Sequence, residues 1–130
     1  MTNAQPWWLT MSPEELAVHV LPFLSTAPYC NETMAIRDIV SYWWTGAPAG
    51  PPKMFGVINS HDRFQNPDIR AVAEAIQVLE QARLIMRLVS GDYSDNDIGL
   101  TRLGMHALST NTVRQHVGLG DPEPKAPQDG

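Results

Sequence analysis

NPDIRAVAEAIQVLEQARLIMRLVSGDYSDNDIGLTRLGMHAL, residues 66–108, is the stretch whose reading decides the fold. Asn66-Pro67-Asp68 supplies an N-cap, a first-turn proline and an acid suited to the positive end of a helix. Ile69, Val72, Ala73, Ile76 and Leu79 then recur at the spacing of a helix packed on one face. Leu84 to Val89 is a short apolar run with one charge, Arg87, and it stops at Ser90-Gly91-Asp92, which reads as a strand. The residues up to Asp97 are turn formers. Ile98 to Leu100 resumes an apolar run that pairs back as the second arm of a hairpin. Thr101 caps a closing helix through Leu103, Ala107 and Leu108, with a continuation past Thr110 towards Val117 left open.

Outward from this stretch, Ser12-Pro13-Glu14-Glu15 reads as a helix start with a capping box, and Met11 and Leu16 stand where a hydrophobic staple places them. Leu16, Val20, Phe23 and Leu24 form its apolar stripe. Pro22 lacks a donor and clashes with the preceding turn, so this helix is expected to end or kink near His19 to Leu21. Asn31 caps a second helix, with Ile36, Ile39, Val40 and Trp43 at helical spacing and Gly46 at its end. Residues 46–52 hold three prolines and two glycines and read as a loop. Lys53 to Phe64, with Met54, Phe55, Val57 and Ile58, reads as a short helix or a single buried turn. From Gly118 on, prolines and glycines with few apolar residues predict a mobile tail. The expected organisation is one domain over 1–117 and a disordered tail over 118–130.

Val78-Leu79-Glu80-Gln81-Ala82-Arg83-Leu84-Ile85 resembles the end of a recognition helix running into a first wing strand. Leu100-Thr101-Arg102-Leu103-Gly104-Met105-His106-Ala107-Leu108 resembles a second wing strand entering a closing helix. The chain is thus similar, over residues 66–108, to the second half of a winged helix-turn-helix domain. That resemblance implies a mainly α fold with a small β-hairpin and extra N-terminal helices. It implies that the helix from Pro67 enters the major groove, with Asp68, Arg70, Ala71 and Glu74 towards the base edges and Gln77 a turn further on. Arg70 is the side chain there able to bridge a guanine, while Lys53, Arg63 and Arg87 reach phosphates. The expected DNA site is therefore Lys53, Arg63, Arg70, Gln77 and Arg87, in a small cytoplasmic transcriptional regulator acting as a homodimer on double-stranded DNA, with the helices from Ser12 to Trp44 as the dimer surface.

Two residue choices depart from that pattern. Arg83 stands where the turn after the recognition helix usually carries glycine, which speaks against a left-handed cap. Asp92, Asp95 and Asp97 stand at the wing tip, where wings that touch DNA usually present Lys or Arg. A non-catalytic protein–protein interaction module on the same scaffold is the alternative. Trp7 and Trp8 are expected to fold back onto the domain. Adjacent Trp43 and Trp44 cannot both face one core, so core packing is the first explanation for one of them, and Tyr42, Trp43 and Trp44 are the candidate partner-binding residues.

Composition bounds the remaining classes. The 130 residues fit one core, and the net charge of -5 argues against strong non-specific attraction to nucleic acid. Seven basic and seven acidic residues between Lys53 and His116 leave that half neutral. No apolar run approaches the roughly 18 residues that span a bilayer. Nothing at the N-terminus reads as an export signal, and Cys30, the only cysteine, suits a reducing compartment as a small apolar filler. Asp92 to Asp97 lacks the glycine and the twelfth-position glutamate of a calcium loop. His19, His61, His106 and His116 show no metal-ligand spacing, and neither a phosphate-binding glycine loop nor a serine nucleophile motif occurs. No cofactor, metal or enzymatic activity is expected.

Overall fold

A computed structural model describes residues 6–47, 65–89 and 96–119. The elements are α1 Trp7–Thr10, α2 Pro13–Leu24, β1 Cys30–Asn31, α3 Glu32–Thr45, α4 Pro67–Gln81, β2 Ile85–Val89, β3 Asn96–Leu100, α5 Arg102–Thr110 and α6 Val113–His116. The chain is mainly helical, with one small antiparallel sheet in the order β1-β3-β2. The hairpin pairs Ile85 with Leu100 and Val89 with Asn96. β1 joins its other side through Cys30 opposite Ile98 and Asn31 opposite Asp97. Asp97 thus lies within a strand rather than at the wing tip. Most of the 46–52 loop, Lys53 to Phe64, Asp92, Asp95 and the tail beyond Leu119 lie outside the described residues.

The helix starts follow their caps. Ser12 Oγ accepts from the Glu15 N–H, Asn31 Oδ1 from Met34, Asn66 Oδ1 from Asp68 and Ile69, and Thr101 Oγ1 from Gly104. Glu15 makes a long-range contact with its carboxylate, which accepts from Arg114 Nη1 at 3.1 Å and ties α2 to α6. Gly46 ends α3 with φ 80, and its N–H bonds the Tyr42 carbonyl.

Two expectations need correction, at Pro22 and in the tail, and one open alternative, the length of the closing helix, is decided. α2 runs through Pro22 to Leu24. A proline in a helix interior costs about 3 kcal/mol, but Val20, Leu21 and Leu24 around it are fully buried, and each contributes about 1.5–3 kcal/mol by leaving water. α5 stops at Asn111, whose φ of 60 breaks the helix before the separate turn of α6; asparagine is among the few residues that adopt this conformation readily. Leu119, placed in the tail from sequence, bonds through its N–H to the Arg114 carbonyl and packs against the core.

The end of α4 is a further correction. Arg83 has φ 66, so the left-handed cap is present despite the missing glycine. Its N–H bonds the Glu80 carbonyl, while the Leu84 N–H reaches back to Leu79. This is the two-bond Schellman closure, with buried Leu79 and Leu84 as its apolar pair. Immediately after it, Thr101 Oγ1 donates to the Arg83 carbonyl at 2.6 Å and the Thr101 N–H bonds the Leu84 carbonyl. A Cβ on Gly104 would collide with that Leu84 carbonyl oxygen, so glycine is what lets α5 close over the turn.

The core forms where α2 lies against α4, with α3 beside them. Leu16, Val20, Leu21 and Leu24 of α2 meet Val72, Ile76 and Leu79 of α4, and Ile36 and Ile39 of α3 complete the layer. Ile85 and Ile98 close it from the sheet. Among the described residues no helix is long and apolar enough to cross a membrane.

Candidate partner-binding face

The four tryptophans, far apart in sequence, meet in one cluster. Trp8 is buried and stacks on Trp43 at 5.4 Å between centroids, and Trp7 meets Trp43 edge-on at 4.9 Å. Trp44 meets Trp8 edge-on at 5.1 Å. His19, Phe23 and Tyr42 extend the cluster across α2 and α3. The N-terminal pair folds back as expected, and Trp43 sits further inside than its neighbour Trp44, which is 57% exposed.

Asp68 organises this cluster. One carboxylate oxygen accepts from the Trp8 indole N–H at 2.7 Å and the other from the Trp44 indole N–H at 2.9 Å. Hydrogen bonds to a charged acceptor are the stronger kind, and here they pin two rings and the start of α4 together. The sequence reading aimed Asp68 at base edges, whereas both its oxygens are engaged within the chain. Sixty and twenty-four residues separate it from its two partners, so no local pattern carries the signal. Trp7, Tyr42 and Trp44 remain exposed on the outer side of the cluster. No described residue bonds the Trp7 indole N–H or the Tyr42 hydroxyl.

Of the candidate DNA-contacting residues, three are described: Arg70 and Gln77 lie on α4 and Arg87 on β2. Lys53 and Arg63 lie outside the described residues. Arg70 and Gln77 are exposed along α4, with Glu74 and Gln81 on the same stripe. Arg70 Nε contacts Glu74 at 3.3 Å, a solvent-exposed pair one turn apart that neutralises the stripe. A cleft of about 280 Å³ separates this end of α4 from α1, with Trp8, Leu9 and Met11 on one wall and Pro67, Arg70 and Ala71 on the other.

Arg87, expected from the sequence as a phosphate contact, is bound to two carboxylates within the chain. Its guanidinium takes Glu32 at 2.7 and 3.1 Å and Glu80 at 2.9 to 3.3 Å, joining β2 to α3 and α4. The hydrogen bond to Glu32 is the main reason the group is held charged well above its ordinary range; burial opposes this and Glu80 adds to it. A phosphate would have to displace one of these carboxylates. The buried Glu32, at the start of α3, is a structural residue that the sequence reading did not single out.

Cys30 sits on β1, half-buried. Burial, and then the carboxylates of Asp97, Asp38 and Glu32, push its thiol up, away from the low values of reactive thiols. Among the described residues no group of three or more His, Cys, Asp or Glu side chains is placed to hold a metal ion. No family model, curated protein or solved structure matches this chain.

Proposed function

We propose that this chain is a non-catalytic protein-interaction module on a winged-helix scaffold, holding a protein partner against Trp7, Tyr42 and Trp44. The order α2-β1-α3-α4-β2-β3, with a paired ribbon after α4 and a helix closing over it, supports the scaffold. A single observation carries the function: Arg70 on α4 and Arg87 on the ribbon are matched by carboxylates, while Trp7, Tyr42 and Trp44 stay exposed on one aromatic face. Arg87 is held by Glu32 and Glu80 and Arg70 by Glu74, so these two expected DNA contacts add little to the positive field that drives DNA binding. Tryptophan and tyrosine combine a large apolar area with a polar tip and little rotamer freedom, which makes them frequent anchors of protein contacts.

DNA binding is the second reading, favoured by the exposure of Arg70, Gln77 and Gln81 on one stripe of α4, since arginine and glutamine are base-reading side chains. The two readings separate in a capture experiment from nuclease-treated extract, comparing Tyr42→Ala with Arg70→Ala. Both side chains are exposed, so neither change should unfold the chain. Retention lost in Tyr42→Ala and kept in Arg70→Ala is expected. Loss in Arg70→Ala alone, or capture that disappears on nuclease treatment, would favour the nucleic-acid reading instead.

A further inference from the structure

Among the described residues, β2 forms one edge of the sheet. The order β1-β3-β2 gives β2 a single partner strand, so no described strand pairs with the outer row of its N–H and C=O groups. Side chains alternate along β2: Ile85 is buried and Arg87 turns inward to Glu32, whereas Met86 and Leu88 face out and are 61% and 69% exposed. The register puts Met86 opposite Gly99, and a Cβ on Gly99 would press on Pro28 and Tyr29. Exposed Tyr29 therefore continues the outer apolar face beside the ribbon.

Edge strands of monomers usually carry lysine, proline, a bulge or an inward charge that discourages pairing. β2 pairs without a bulge over Ile85–Val89 and holds neither lysine nor proline. Its one charge is offset by two carboxylates.

We infer that a second copy of this chain pairs with β2 along this edge, antiparallel about Arg87, making one continuous six-stranded sheet. The strand is self-complementary in that register. A two-fold axis through Arg87 places Met86 of each copy against Leu88 of the other, so both exposed pairs leave water together on the same face. The charge on β2 does not oppose the approach, because each Arg87 arrives already paired. One strand edge with two such side-chain pairs falls below the roughly 800 Å² per partner of a standard stable interface, so the dimer is weak and concentration-dependent. This interface is distinct from the aromatic face, and either can fail without the other.

Sedimentation equilibrium of the full chain from about 10 µM to about 1 mM tests it. A monomer–dimer equilibrium is expected, with Leu88→Lys weakening association at least tenfold at unchanged circular dichroism and melting temperature. The register is tested by mixing Met86→Cys chains with Leu88→Cys chains under mild oxidation, with the unsubstituted chain as control for Cys30. Mixed cross-links should form faster than self cross-links of either variant. A monomer at 1 mM, self cross-links as fast as mixed ones, or a dimer that survives Leu88→Lys but is split by Trp44→Ala would overturn the inference.

Discussion

Arg87→Met removes the cation that joins three elements and leaves a methionine of similar reach. Glu32, whose side chain is 6% exposed, then loses a bidentate partner and becomes a buried carboxylate without its cation. Breaking a buried pair from one side costs about 3–5 kcal/mol. The position of Glu32 in the first turn of α3 offsets about 0.3–1 kcal/mol through the helix dipole. Glu80 is 38% exposed, so water replaces most of what it loses and it adds under about 1 kcal/mol. The net loss is about 3 kcal/mol, roughly a 150-fold fall in the folding equilibrium constant. Urea unfolding at pH 7, followed by tryptophan fluorescence, reads it directly. Glu32→Gln combined with Arg87→Met removes that buried charge and should recover part of the loss. A single-variant loss below about 1 kcal/mol, or a double variant no better than the single one, would refute the reasoning.

Three further outcomes follow from the same contacts. Asp68→Ala leaves the indole N–H of buried Trp8 without its acceptor, while water replaces it at exposed Trp44, and should cost about 1–3 kcal/mol, with a red-shifted tryptophan emission; an unshifted spectrum would show that the rings are fixed by packing alone. Arg83→Gly relieves an L-residue of φ 66 and should stabilise the chain by up to about 1 kcal/mol in the same assay; a loss instead would mean the Arg83 side chain holds the turn. Cys30 has a thiol pushed up on folding, so its contribution is fully present below the ordinary thiol range and is lost as pH rises through the folded value. Unfolding free energy should therefore decline above roughly pH 8.5, and Cys30→Ala should flatten that decline.

Features set by short-range chemistry were legible in the sequence. The caps at Ser12, Asn31, Asn66 and Thr101, the stop at Gly46 and the apolar face of α4 depend on residues within a turn or two, and all are found in place. The strand after α4 was legible because an apolar run too short for a helix ends in turn formers. Features set by distant partners were not. β1 is two residues long and exists because β3 lies beside it. α2 passes Pro22 because the burial around that proline outweighs its cost. Arg83 adopts a glycine-like conformation because Leu79, Leu84 and Thr101 hold both sides of the turn. In the candidate site, the neighbouring tryptophans suggested one inner and one outer ring. The role of Asp68 in joining two tryptophans, and of Glu32 and Glu80 in binding Arg87, needed the tertiary arrangement.

Whether α4 or the aromatic face meets the partner is tested most directly by nuclear magnetic resonance of the isotope-labelled full chain. The ligand is a mixed-sequence 20-base-pair duplex at about 50 mM salt, where phosphate contacts are strongest. With Arg70 and Arg87 matched by carboxylates, the amides of Arg70, Gln77 and Gln81 should not shift at about 100 µM duplex. Saturable shifts at those three residues, abolished by Arg70→Ala, would contradict the protein-interaction reading and assign the helix to DNA.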